Sequence, residues 1–305
     1  MAWFAVLADL RVPGDGAFAF TRPVGDTPRA DAALERALRA APGHEVLHFV
    51  PLYHPSADRA ALAAALRAAA EPAGGATAPR AALLVGALTQ SLGAADRRTL
   101  LPALATALGA RRADPPSAAS MRTRQRELDS LYLPALAPWL VLERLDRGRV
   151  LVIPAIGAEG RLFAGTADRA DNLVAVGSFE GATDPAASLH AFVREICFPA
   201  VSRATNGARG FSVGDPASAR RASLAAVRCG AALLDARLPA RADAYRTFWL
   251  AQASQNSAAP SAGDSTENPA SRPAAIREAF DRAFPPDAAL ATSLERAIAR
   301  LARSR

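Results

Sequence analysis

The stretch from Gln252 to Pro273 (QASQNSAAPSAGDSTENPASRP) contains no large apolar side chain. Such a segment cannot bury enough apolar surface to offset the entropy of ordering it, so it reads as a flexible linker. A core must form before it or after it. The chain has 305 residues, half of them hydrophobic, so the part ahead of the linker is long enough for a full core. The chain reads as an α+β domain over 1–251, a linker over 252–273 and a helical hairpin over 274–305.

Composition narrows the chemistry. There are 36 basic and 29 acidic residues, a formal charge of +7, and every positive side chain is arginine. Without lysine there is no Walker-type phosphate lysine, no Schiff base and no lysine general base. Arginine and alanine are also the residues that GC-rich coding favours, so the basicity is no nucleic-acid footprint by itself, and a nucleic-acid partner is not favoured. The four histidines (His44, His48, His54, His190) and two cysteines (Cys197, Cys229) are what remains for metal or nucleophilic work. One cysteine pair does not mark an oxidising compartment, and both cysteines fall in apolar helical patterns that suit buried thiols.

Met1–Leu10 is apolar but has no basic leader, carries Asp9 and lacks a small-residue cleavage site, so it reads as a first strand rather than a signal peptide. That points to the cytoplasm, with a trimmed secretion signal left open. No apolar run reaches the roughly 18 residues of a membrane span.

The pattern along the chain predicts a helix over Asp31–Ala40, with Leu34 and Leu38 on one face, a strand over Val46–Tyr53 and a helix over Ser56–Ala70 capped by Ser56. A loop over Gly74–Pro79, a buried strand over Ala81–Leu88 and a helix over Ala94–Leu108 follow. After a break at Arg111–Ser120, a long helix starts at Arg122, broken or kinked by Pro134 and Pro138. Val150–Pro154 and Asn172–Gly177 read as strands around a glycine-containing loop, Gly157–Gly165. Asp184-Pro185 and Asp215-Pro216 each open a helix, an N-cap followed by proline at the first helical position. A further helix covers Arg241–Ala253. Beyond the linker, Ala274–Phe284 and Asp287–Ala302 form the hairpin, with Leu290, Leu294, Ile298 and Leu301 on one stripe. It has two destinations, the main domain or a partner protein.

Two places carry metal-site signatures. His44-Glu45-Val46-Leu47-His48 fits H-E-x-x-H, and His54 lies ten residues after His44, the third-ligand spacing of metzincin proteases. Three imidazoles and a glutamate base would leave one zinc position for an activated water. That geometry needs a helix, in which positions four apart share a face. Here Pro42-Gly43 precedes the motif, Pro51 stands at the glycine position and the residues between prefer strands. On a strand His44 and His54 stand roughly 33 Å apart, too far to share one ion.

The second place is the helix Ser188-Leu-His-Ala-Phe-Val-Arg-Glu-Ile-Cys-Phe-Pro199. It resembles the active helix of a family of bacterial gluzincin-like metallopeptidase domains, which reads like HEFxHxFVNP. His190 matches the first histidine, Phe192 the aromatic and Pro199 the closing proline. The resemblance implies a zincin-like fold, a small mixed sheet packed on several helices, with a following helix that supplies an acidic third ligand ahead of an Arg-Ala pair. Val227-Arg228-Cys229 resembles that pair. The departures fall on the catalytic positions: Ala191 replaces the glutamate base and Arg194 the second histidine, while Arg220, Arg221 and Ser223 offer no carboxylate. Arginine stays protonated and cannot ligate zinc.

The expected molecule is therefore a zincin-like, metallopeptidase-like domain without its metal, a pseudoenzyme that binds or supports rather than hydrolyses. His190, Arg194 and Glu195 mark its degenerate site, and Arg194 is expected to meet an internal carboxylate such as Glu159, Asp168, Asp171 or Glu180. No cofactor is expected. Two rival readings stand beside it: an active zinc hydrolase using His44, Glu45, His48 and His54, and a partner-binding protein working through residues 274–305.

Overall fold

The computed structural model describes residues 3, 6, 7, 10, 32–54, 58–71, 79–110, 118–153, 160–163, 172–177, 186–206, 208–212, 215–256 and 273–303. These are mostly helical, with one small mixed sheet. The chain divides into two compact units. The described residues up to Ala110, with Ile153, belong to the first; residues 118–152 and those from Gly160 onward belong to the second. The sequence reading groups 1–251 together, whereas the structure sets a boundary near Pro116 and adds the C-terminal hairpin to the second unit.

The first unit is helical. Trp3, Val6 and Leu7 are buried and helical, which corrects the expected first strand, and the Trp3 indole N–H donates to the Leu47 carbonyl at 2.8 Å. Helix α1 spans Ala32–Ala40 and buries Leu34 and Leu38 as the pattern predicts. A 3-10 helix, His44–Phe49, runs into the short α2, Val50–Tyr53, where a strand is expected. Pro51 is compatible with this because a first helical turn needs no N–H donor. Gly43 adopts the left-handed conformation (φ 77°), and a Cβ there would lie 2.1 Å from the Ser91 carbonyl oxygen. Helix α3, Arg59–Ala70, is capped by Asp58, whose carboxylate accepts from Ala60 N at 2.8 Å and Ala61 N at 3.3 Å, rather than by Ser56. The expected strand at Ala81–Leu88 lies within helix α4, Pro79–Ser91. Helix α5, Ala94–Ala110, matches its expectation and packs on α3, leucine and alanine against leucine and alanine.

The second unit begins with α6, Ala118–Glu127, a π-helical turn at Leu128–Tyr132 and α7, Leu133–Leu142. The turn stands where a straight α-helix would set the Pro134 ring against the Ser130 carbonyl, so the expected kink takes the form of one wide turn. Strands β1 (Gly148–Ile153), β2 (Gly160–Phe163) and β3 (Asn172–Gly177) form a sheet of order β1-β3-β2, with β2 antiparallel to β3 and Gly160 opposite Val176. Strand β2 occupies part of the expected loop Gly157–Gly165. Helices α8 (Ala187–Glu195), α9 (Phe198–Thr205), α10 (Pro216–Arg237) and α11 (Pro239–Asn256) follow. The Asp215 carboxylate accepts from Ala217 N and Ser218 N, the N-cap read from Asp215-Pro216. The Asp184-Pro185 opening and residues 257–272 of the expected linker lie outside the described residues, while 252–256 form the end of α11.

The hairpin, α12 (Pro273–Ala283) and α13 (Ala291–Arg303), docks on its own unit. Phe280, Phe284, Leu290, Leu294 and Leu301 join one core with Trp139, Phe192, Leu234, Tyr245 and Trp249. The apolar stripe read from the sequence faces this core.

Candidate functional site

Helix α8 is buried on every side, charged residues included. It packs on β2 and β3 and is crossed by α10 and α11. A helix in such a position must satisfy each polar group internally, since a bare charge removed from water is too costly. His190, fully buried, lies edge-on to Tyr245 (centroids 5.7 Å apart) and tilted against Phe248 (5.4 Å). Arg194, 1% exposed, donates from Nη1 to Glu195 Oε1 at 2.8 Å and from Nη2 to Ser223 Oγ of α10 at 2.6 Å. Its guanidinium also stands over the Phe198 and Trp249 rings, 5.1 and 5.4 Å from the centroids. These contacts compensate a buried cation with a carboxylate, a hydroxyl and two π faces.

The sequence anticipates an internal ion pair for Arg194 but not its partner. Glu159, Asp168, Asp171 and Glu180 lie outside the described residues. The carboxylate that Arg194 meets is that of Glu195, its neighbour in the chain. Adjacent positions on a helix ordinarily point apart; here Glu195 is the last helical residue and lies over Gly160 of β2. A Cβ at Gly160 would lie 2.4 Å from Glu195 Cγ and 2.6 Å from Cδ, so only glycine leaves room for that carboxylate.

Beside the pair lie the buried free thiols of Cys197 and Cys229. Burial pushes the Cys197 thiol well above its ordinary range, and its hydrogen bond with Cys229 adds to the shift. Burial also raises the Tyr245 phenol, whose hydroxyl donates to the Val227 carbonyl at 3.0 Å. Both groups are therefore held neutral.

Zinc, the metal the resemblance implies, does not suit these residues. The positions of α8 and α10 that converge hold an arginine and a serine, and the Arg194 guanidinium occupies the space between them. A protonated arginine offers no lone pair to a metal.

The H-E-x-x-H segment is helical after all, but with 3-10 winding. Three residues per turn place positions four apart about 120° from each other, against roughly 40° in an α-helix. His44 Nδ1 lies 3.0 Å from the Ala41 carbonyl, which can only accept, so that nitrogen carries the proton. His54 is buried at the end of α2, its backbone N–H on the Val50 carbonyl. The side chains of Glu45 and His48 lie outside the described residues. Among the described residues, no three histidine, cysteine or acidic side chains are placed to hold a metal ion.

Among the described residues, two cavities open elsewhere in the second unit. One, of about 160 Å³, lies between α10 and the hairpin and is mainly apolar, with Leu290, Leu294, Ile298 and Cys229 on its walls. The other, of about 230 Å³, lies between α9 and α13 and is lined by Arg203, Ser293, Arg296 and Arg300 with three alanines. Sequence reasoning missed this arginine group, although Arg296 and Arg300, four apart on a helix whose apolar stripe is assigned, were open to view. Arg203 Nη2 donates at 2.5 Å to Oε1 of Glu143, a carboxylate with no exposed surface, and this bond raises the arginine's pKa. Among the described residues, no helix is long and apolar enough to cross a membrane. No family model, curated protein or solved structure matches the chain.

Proposed function

We propose that the second unit is a zincin-like scaffold whose ligand positions are refilled by an internal ion pair, and that it serves as a binding or structural module rather than a hydrolase. One observation carries this reading: Arg194, at the place of the second histidine in the resemblance, is pinned between Glu195 at 2.8 Å and Ser223 at 2.6 Å in the core. The resemblance implies a helix beneath a small sheet and a following helix that contributes the third group. Helix α8 against β2 and β3, with Ser223 of α10 reaching Arg194, supports that arrangement. A fixed positive charge takes the place of a cation, and its neutralisation within the fold suits a supporting role.

Elemental analysis of the purified chain tests the reading. The expected result is no stoichiometric zinc. Zinc at one equivalent that disappears in His190→Ala overturns it; zinc that disappears in His44→Ala instead favours a hydrolase built on His44, Glu45, His48 and His54. The partner-binding reading needs a different surface of the hairpin from its apolar stripe, because that stripe is already buried in its own unit.

A further inference from the structure

We propose that the cavity between α9 and α13 binds a small soluble phosphate compound through Arg203, Arg296 and Arg300. This inference is independent of the scaffold reading, since none of these residues belongs to the Arg194 cluster. The argument begins with charge. Three arginines line one cavity. Arg203 is balanced by Glu143, but Arg296 and Arg300 meet no carboxylate among the described residues. The other arginines of the hairpin with described side chains are treated differently: Arg277 pairs with Asp243 and Arg282 with Glu278. Like charges four apart on a helix repel. Here a third arginine faces them from α9, and the local excess is two positive charges.

That excess matches a dianion. A phosphate monoester carries nearly two negative charges at neutral pH and three acceptor oxygens, which suit planar guanidinium forks. A single carboxylate would leave one positive charge unbalanced. The geometry adds to the match: Arg203 is anchored by a fully buried carboxylate, so one of the three donors is held in place before any ligand arrives. Ser293 supplies a hydroxyl, and the alanines between the arginines let the anion approach closely. About 230 Å³ lies below the roughly 300–1,000 Å³ of pockets for drug-sized ligands, which favours a compact anion. Gathering the arginines at one concave spot also differs from the extended basic track that a nucleic-acid backbone needs.

The test is calorimetric titration of the full chain, in chloride buffer, with phenyl phosphate and with benzoate. Saturable binding of phenyl phosphate is expected, weakened by added salt, with benzoate binding at least about tenfold more weakly. Arg296→Gln/Arg300→Gln should reduce phenyl phosphate affinity by about tenfold or more, while Arg282→Gln, outside the cavity, leaves it unchanged. Both substitutions are on exposed helix positions, and a thermal melt checks that each variant is folded. No saturable binding, equal binding of benzoate, or equal loss in Arg282→Gln overturns the proposal. Cosedimentation with phosphatidate vesicles in the absence of phenyl phosphate binding overturns it as well, since the phosphate would then be a lipid headgroup.

Discussion

Helices α8 and α13 both carry arginine and belong to the same unit, yet the fold treats them in opposite ways. Helix α8 is enclosed on every side, and its arginine is neutralised by a carboxylate, a hydroxyl and two aromatic rings. Helix α13 buries only its leucine stripe and leaves Arg296 and Arg300 exposed beside a third arginine. Enclosure forces compensation from within, whereas an exposed face can leave its charge for solvent or a ligand to balance. One arginine is thus an internal fastening, and the others form a surface.

Breaking the fastening should have the largest effect. Arg194→Leu leaves the Glu195 carboxylate buried without its cation, and urea denaturation should report a loss of about 3–5 kcal/mol. Adding Glu195→Gln should recover part of that loss; a double variant as unstable as the sum of the two singles would show that the pair acts through packing rather than charge. Phe284→Ala tests the other side of the comparison, because Phe284 carries the hairpin into the shared core. A loss of about 3–5 kcal/mol is expected in the same assay. An unchanged main transition would mean that the hairpin folds apart from the rest.

Gly160→Ala drives a methyl group against Glu195, and overpacking of this kind typically costs about 1–3 kcal/mol. A thermal melt shifted downward checks it, and no shift would mean that the Glu195 side chain has room to move. A smaller effect concerns the hairpin's surface tie. Arg221 donates to Asp287 at 2.8 Å and holds that carboxyl below its ordinary range. A depressed folded-state pKa gives stability that is present above the unfolded value, near pH 4, and lost as pH falls through the folded value. Asp287→Asn should therefore lower stability at neutral pH by about 0.2–1 kcal/mol and flatten the acid limb of the stability profile. On α13, Arg296→Gln/Arg300→Gln should raise stability by only about 0.2–0.5 kcal/mol in low salt, by removing a like-charge pair. A marked loss would instead assign these arginines a structural role.

The second unit was more legible in the sequence than the first, for physical reasons that particular segments show. Asp215-Pro216 announces α10 because the cap and the proline act locally, whatever the rest of the fold does. Asn172–Gly177 reads as a strand because its apolar run is short and bounded by turn residues. Ala81–Leu88 and Val46–Tyr53 read as strands in the sequence yet fold as helix, because short apolar runs carry no period that separates a buried strand from a buried helix, and tertiary packing decides. Strand β2, four residues in a glycine-rich stretch, left too little pattern to read. At the candidate site, the internal pairing of Arg194 was legible as a tendency. The partner was not, because a contact between adjacent residues depends on where the helix stops and on the absence of a side chain at Gly160. The α9–α13 arginines come from segments about ninety positions apart, and no local pattern joins them.

The π-turn at Leu128–Tyr132 also has a meaning for how such a chain can change in length. Its Leu133 N–H reaches back to the Leu128 carbonyl, one residue further than α-helical bonding allows. The turn therefore accommodates one additional amino acid while the helices on both sides remain intact. Removing a single residue there would close the segment as ordinary α-helix and leave α6 nearly in its present rotation relative to Tyr132, Leu136 and Trp139, because the wide turn already absorbs the extra residue. Both flanking helices would keep the faces they now present. A one-codon change in length is thus taken up at this turn, and the interior on either side need not be redesigned for it.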